Sequence, residues 1–104
     1  MTDATKDYKT LDEFYPYYLQ EHSNRTCRRL HFAGTTLALV LIATAVVTRT
    51  WWLIAVAFVQ GYVWAWVGHF VYEHNKPATF KYPWLSFRGD WRMWKDMLTG
   101  KIAW

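Results

Sequence analysis

The chain has 104 residues, enough for one domain, yet 53% of them are hydrophobic and eight are Trp, an excess that lipid accommodates better than the small core of a soluble chain. Its single cysteine, Cys27, excludes an internal disulfide and a cysteine-based zinc finger. The net charge of +4 comes without a basic run, and the basic residues flank apolar segments, which reads as membrane topology rather than nucleic-acid binding.

Met1 to Thr10 is polar and carries acids, unlike a secretory signal peptide. Leu11, Phe14, Tyr15, Tyr18, Leu19 and His22 then fall on one helical face, and Thr10 with Glu13 forms a capping-box pattern. Pro16 conflicts with a continuous helix from Thr10, so the helix is expected to start or kink there. Ser23 and Asn24 offer an N-cap for the next helix.

Between Arg29 and Arg49 no charged residue occurs, and the stretch from Thr50 to Tyr72 is likewise uncharged. A bilayer core needs about 20 apolar residues per helix, so two spans are expected, at about 30–48 and 51–72. So short a turn around Arg49 makes them antiparallel neighbours. Lys and Arg number 5 before the first span, 1 in the turn and 6 after the second, which places both termini in the cytoplasm by the positive-inside rule. Pro77 should stop the second helix near Asn75. Phe87, Trp91, Trp94 and Leu98, beside Arg88, Arg92 and Lys95, suggest an interfacial helix with Gly100 as its cap. The expected fold is therefore all-α: an integral membrane helical hairpin with an N-terminal amphipathic helix and a C-terminal interfacial helix, a single membrane domain over 1–104.

In such a hairpin, residues equally far from the turn lie at one depth, which sets His31 level with His69 and puts His22 and His74 just outside on the same side. All four histidines of the chain thus gather at the cytoplasmic end. Ala57, Gly61, Ala65, His69 and Glu73 are spaced by four, and His31, Thr35 and Ala38 with Gly34 make a similar face on the first span. Small residues there let another helix approach closely and suggest a homo-oligomer. Glu73 is expected either to ligate a metal or to orient an imidazole. Neutral imidazoles bind Fe, Zn, Cu or Ni, and ionisable groups at membrane depth are usually functional. Arg25, Arg28 and Arg29 flank His31 and offer either a bidentate carboxylate clamp or headgroup anchors. Cys27 reads as packing.

Three blocks carry a family resemblance: Phe14-Tyr15-Pro16-Tyr17-Tyr18-Leu19-Gln20-Glu21-His22, then Asn24-Arg25 with Arg29-Leu30-His31-Phe32-Ala33-Gly34, then Gly68-His69-Phe70-Val71-Tyr72-Glu73-His74-Asn75-Lys76-Pro77-Ala78. Together they resemble the 2-hydroxy fatty acid dioxygenase family, whose yeast member works in the endoplasmic reticulum in phytosphingosine breakdown. The resemblance implies Fe(II) as cofactor, O2 and a 2-hydroxy fatty acid as substrates, and α-oxidation that shortens the acid by one carbon. It implies His22, His31, His69 and His74 as metal ligands. It implies a multi-pass protein of the endoplasmic reticulum or a bacterial inner membrane. Two rivals stand beside it: a haem or electron-transfer protein using His31 and His69 as axial ligands, and a non-enzymatic membrane scaffold.

Overall fold

The computed structural model describes residues 8–104, and every regular element among the described residues is helical. The reading of Met1–Thr10 as a non-secretory start lies largely outside the described residues.

Helix α1 runs from Leu11 to Gln20. Thr10 Oγ1 accepts from the Glu13 amide at 3.2 Å, and the Glu13 carboxylate accepts from the Lys9 amide at 3.3 Å, which ties down two orphan donors of the first turn. The expectation of a helix starting at Pro16 gives way here. The cap at Thr10 and the burial of Phe14, Tyr15 and Tyr18 hold the turns on both sides of Pro16, which sits exposed inside the helix.

Helix α2 spans Arg25–Thr48, capped by Asn24 Oδ1 on the Cys27 amide at 3.0 Å, and stops where Arg49 turns left-handed with φ 55°. Helix α3, Trp52–Val67, starts three residues after Arg49 and continues as a π-helical turn over Gly68–Glu73. Left-handed His74 ends it ahead of Pro77, as the proline predicts.

Helices α2 and α3 pack along each other in opposite directions. A Cβ on Gly34 would stand 3.0 Å from Trp64 Cβ and 3.3 Å from Gly61 O, so the backbones meet where both chains lack bulk. The Gln60 side chain donates across this seam to Gly34 O at 3.0 Å. The close neighbour that the small-residue stripe calls for is therefore α2 of the same chain.

Arg25–Thr48 and Trp52–Glu73 are each long and apolar enough to cross a membrane. Only 17% of each apolar window is covered by protein, and Val40, Val47, Trp52, Val59 and Val63 lie exposed, unlike the buried helices of a soluble core.

Helix α4, Pro83–Leu98, has protein on two sides. Leu85, Met93 and Met97 pack into a cluster with Phe14, Tyr15 and Tyr18 of α1. Gly89 lies so close beneath Tyr18 that a Cβ would come within 2.9 Å of the ring. Tyr15 donates to Asp96 at 2.7 Å, and Arg92 pairs with Asp12 at 2.9 Å on the surface. The stripe expected to lie on the leaflet turns instead to the spans. Phe87 stacks on Phe58, and Trp94 stacks on Phe32 while donating to Thr36 Oγ1 at 2.9 Å. The chain reverses after it at Gly100, whose φ of 82° suits glycine.

Candidate metal centre

Three histidines from three different segments converge at one end of the α2–α3 pair. His22 sits in the turn after α1, His31 on the second turn of α2, and His69 in the π-helical turn. All three are buried, at 1%, 5% and 2% exposure. His22 Nε2 lies 3.1 Å from His31 Nε2 and 2.9 Å from His69 Nε2.

Each ring is oriented from behind. His22 Nδ1 is 2.6 Å from Tyr18 O, His31 Nδ1 is 2.8 Å from Cys27 O, and His69 Nδ1 is 2.8 Å from Asn75 Oδ1. The Asn75 amide is itself oriented, because its nitrogen donates to Glu21 O at 3.2 Å and to the Glu21 carboxylate at 2.7 Å. All three Nδ1 partners are acceptors only, so each Nδ1 carries the proton and each Nε2 offers a lone pair. Three lone pairs facing each other this closely repel unless a cation or a shared proton lies among them. The donor set therefore fits a metal ion: three buried imidazoles of fixed tautomer with their free nitrogens together.

Local structure explains the convergence. The π turn widens the end of α3 and shifts the direction in which His69 projects. Gly68 brings that turn against α2, since a Cβ there would lie 2.9 Å from Cys27 Sγ. His22 stacks on Tyr18 with ring centroids 3.9 Å apart. Burial, then the neighbouring imidazoles of His31 and His69, push the His22 pKa well below the ordinary histidine value.

The other expected site residues lie elsewhere. His74 does not join the group: it terminates the π turn with φ 58°, and its side chain is exposed. Glu73 accepts from the Asn24 amide and from Ser23 Oγ, so its carboxylate anchors the start of α2 to the end of the π turn. Arg28 donates to His22 O at 3.2 Å and Ser23 O at 2.8 Å, bracing the segment that carries His22. Arg29 reaches Trp104, donating to its carbonyl at 3.1 Å, and Arg25 is exposed. None of the three arginines lines either cavity beside the histidines.

Two cavities meet at the centre. A small one of about 20 Å³ touches His22, His31 and His69 and is walled by Tyr18, Ser86 and Asp90. A larger one of about 60 Å³ runs from His31 between α2, α3 and α4, past Gly34, Ala57 and Gly61. Asp90 lines both and accepts from the Tyr18 hydroxyl. Burial pushes its carboxyl up to about 7, with the Tyr18 hydroxyl pulling the other way. Sequence reasoning passed over Asp90 and Ser86. They carry no motif, and only their four-residue spacing on α4 hints that they share a face.

Residues 8–102 match the family model described as 2-hydroxy-palmitic acid dioxygenase Mpo1-like. The chain belongs to the Mpo1-like family. The match covers nearly all of the described chain, including every histidine of the centre and the α4 residues that wall it. No curated protein and no solved structure matches this Mpo1-like chain.

Proposed function

We propose that this protein is a membrane-embedded, Fe(II)-dependent dioxygenase that oxidises 2-hydroxy fatty acids and releases the acid one carbon shorter. The observation that carries the reading is the convergence of three Nε2 lone pairs, each fixed by a hydrogen bond at Nδ1.

Three neutral imidazoles suit iron as they suit zinc, and the family description, a dioxygenase, supports the choice of iron. A ferrous ion held there would supply the one-electron chemistry that lets O2 react with an organic acid.

The chain's own residues do the remainder. His22, His31 and His69 would hold the ion. Asn75, oriented by Glu21, keeps His69 in one tautomer. Glu73 and Arg28 fix the segments on either side of the centre. The hairpin of two spans, with both termini cytoplasmic, would let an acyl chain arrive from the bilayer. The family description supports the substrate class. A bis-histidine haem would use two axial imidazoles, whereas here His22 Nε2 stands within 3.1 Å of both His31 and His69.

The test is purification without a polyhistidine tag, anaerobic loading with Fe(II), and assay with 2-hydroxypalmitic acid. We expect about one iron per chain and oxygen-dependent formation of the shorter acid. Substituting His22, His31 or His69 with Ala should remove iron and turnover together, while His74→Ala keeps both. Asn75→Ala, which removes the acceptor on His69 Nδ1, should leave some iron bound and cost about 10–100-fold in affinity or activity, the range for an outer partner of a metal site. Wild-type protein that binds no iron and leaves the substrate intact would sink the reading.

A further inference from the structure

The side of the centre facing α4 is as ordered as the histidines, and the mechanism above does not use it. Ser86 and Asp90 lie one helical turn apart on α4 and both line the small cavity that touches the three histidines. Ser86 is 4% exposed, and its hydroxyl has no hydrogen-bond partner among the described residues. A buried hydroxyl left unpaired costs about 1–3 kcal/mol, so such a group points to a ligand that completes it. Asp90 uses one carboxyl oxygen to accept from Tyr18.

Asp90 and His31 also line the second cavity, which leads away from the polar centre. Beyond them most of its wall is apolar or without a side chain, Gly34, Ala38, Ile42, Ala57, Phe58 and Gly61 among it, and Thr35 and Tyr62 are the polar exceptions. Phe58, which also lines it, is 44% exposed, so this groove reaches the surface of the helices. The small pocket of about 20 Å³ and the groove share His31, Tyr62, Ala65 and Asp90 in their walls, which sets them side by side.

We propose that these two cavities form one channel for a hydroxylated fatty acid, in which Ser86 and Asp90 of α4 hold the polar head and the Gly34–Gly61 groove takes the first part of the acyl chain. The occupant follows from continuity: the groove is contiguous with the centre where the head must react, and its open end meets the membrane. This rests on the dioxygenase reading for the choice of acid, though not for the existence of the channel. It sets the polar head against α4, since Arg25, Arg28 and Arg29 line neither cavity.

Gly61 makes the groove testable. A Cβ there meets nothing nearer than Gly34 O at 4.0 Å, so a methyl fits, and the rest of a larger side chain would extend toward the groove that Gly61 lines. Wild type, Gly61→Leu, Ser86→Ala and Asp90→Asn should be purified in lipid nanodiscs. Iron content, turnover and binding are then measured separately. Binding is read by displacement of the fluorescent fatty acid cis-parinaric acid with 2-hydroxypalmitic, 2-hydroxyoctanoic and unsubstituted palmitic acids.

Gly61→Leu should keep wild-type iron, weaken 2-hydroxypalmitic acid about tenfold, and change 2-hydroxyoctanoic acid less than threefold. Ser86→Ala and Asp90→Asn should keep iron and lose at least fivefold of the preference for 2-hydroxypalmitic over palmitic acid. If Gly61→Leu binds both chain lengths as wild type does, or if both α4 variants retain the hydroxyl preference, the channel is refuted. If wild type holds no iron and turns nothing over, the dioxygenase reading fails. The channel then still stands, provided the variants shift binding as described.

Discussion

At the residue scale, the centre depends on a glycine as much as on its histidines. Gly68 presses the π turn onto Cys27, with only 2.9 Å between a would-be Cβ and Sγ and 3.3 Å to the Cys27 Cα. Gly68→Ala should lift His69 away from His22 and His31. Overpacking of this kind costs about 1–3 kcal/mol, and we expect a lower melting temperature together with loss of iron. Adding Cys27→Ala removes the closest atom and should restore part of both, a coupling that a double-mutant cycle measures. His22 contributes a pH dependence of defined sign. Its folded pKa lies well below the ordinary value, so below about pH 6.5 the unfolded chain takes up a proton that the folded chain refuses. The metal-free protein should therefore be fully stable above that pH and lose stability as the pH falls below it. Thermal melts across pH 5 to 7.5 should show this slope, and His22→Asn should reduce it.

At the element scale, α1 and α4 are the parts whose placement departs most from their sequence patterns. Pro16 lacks the amide that would bond to the Asp12 carbonyl, yet α1 continues through it because Phe14, Tyr15 and Tyr18 are buried against α4. Interior proline costs about 3 kcal/mol, offset by up to about 1 kcal/mol through its stiffening of the unfolded chain. Pro16→Ala should thus raise stability by about 2–3 kcal/mol. Urea unfolding followed by circular dichroism checks this, and an unchanged or lower midpoint would show that the proline fits α1 without strain. The amphipathicity of α4 has the same lesson. Its aromatic stripe reads as a membrane-surface face, whereas Phe87 and Trp94 pack on the two long helices. A stripe encodes that a face is buried, and it is silent about whether lipid or protein buries it.

At the scale of the whole molecule, α1 and α4 cover the end of the α2–α3 pair that carries the histidines and leave the far end bare. Of the 12 Lys and Arg residues, 11 lie before Leu30 or after Tyr72 in the sequence and Arg49 alone lies in the turn. A reporter fused after Trp104 should then be active only as a cytoplasmic fusion. A tag inserted beside Arg49 should be reached by a membrane-impermeant reagent from the opposite side alone. Labelling of both positions from one side would overturn the proposed crossing.

The sequence by itself determined the helices, the two long apolar segments, the Thr10 and Asn24 caps, the stop before Pro77, and the level pairing of His31 with His69. These follow from periodicity, capping chemistry and chain length, which act over a few residues or through one short turn. Which histidines meet was decided by tertiary structure. His22 enters because α1 packs on α4 and its ring stacks on Tyr18, while His74 leaves because the backbone turns left-handed one residue after Glu73. The roles of Glu73, Ser86 and Asp90 were decided there too. Each depends on a partner far along the chain: Asn24 for Glu73, Tyr18 for Asp90, and the histidine cavity for Ser86. Contacts of that kind form only when helices distant in sequence are packed together, and no local pattern in a single sequence records them.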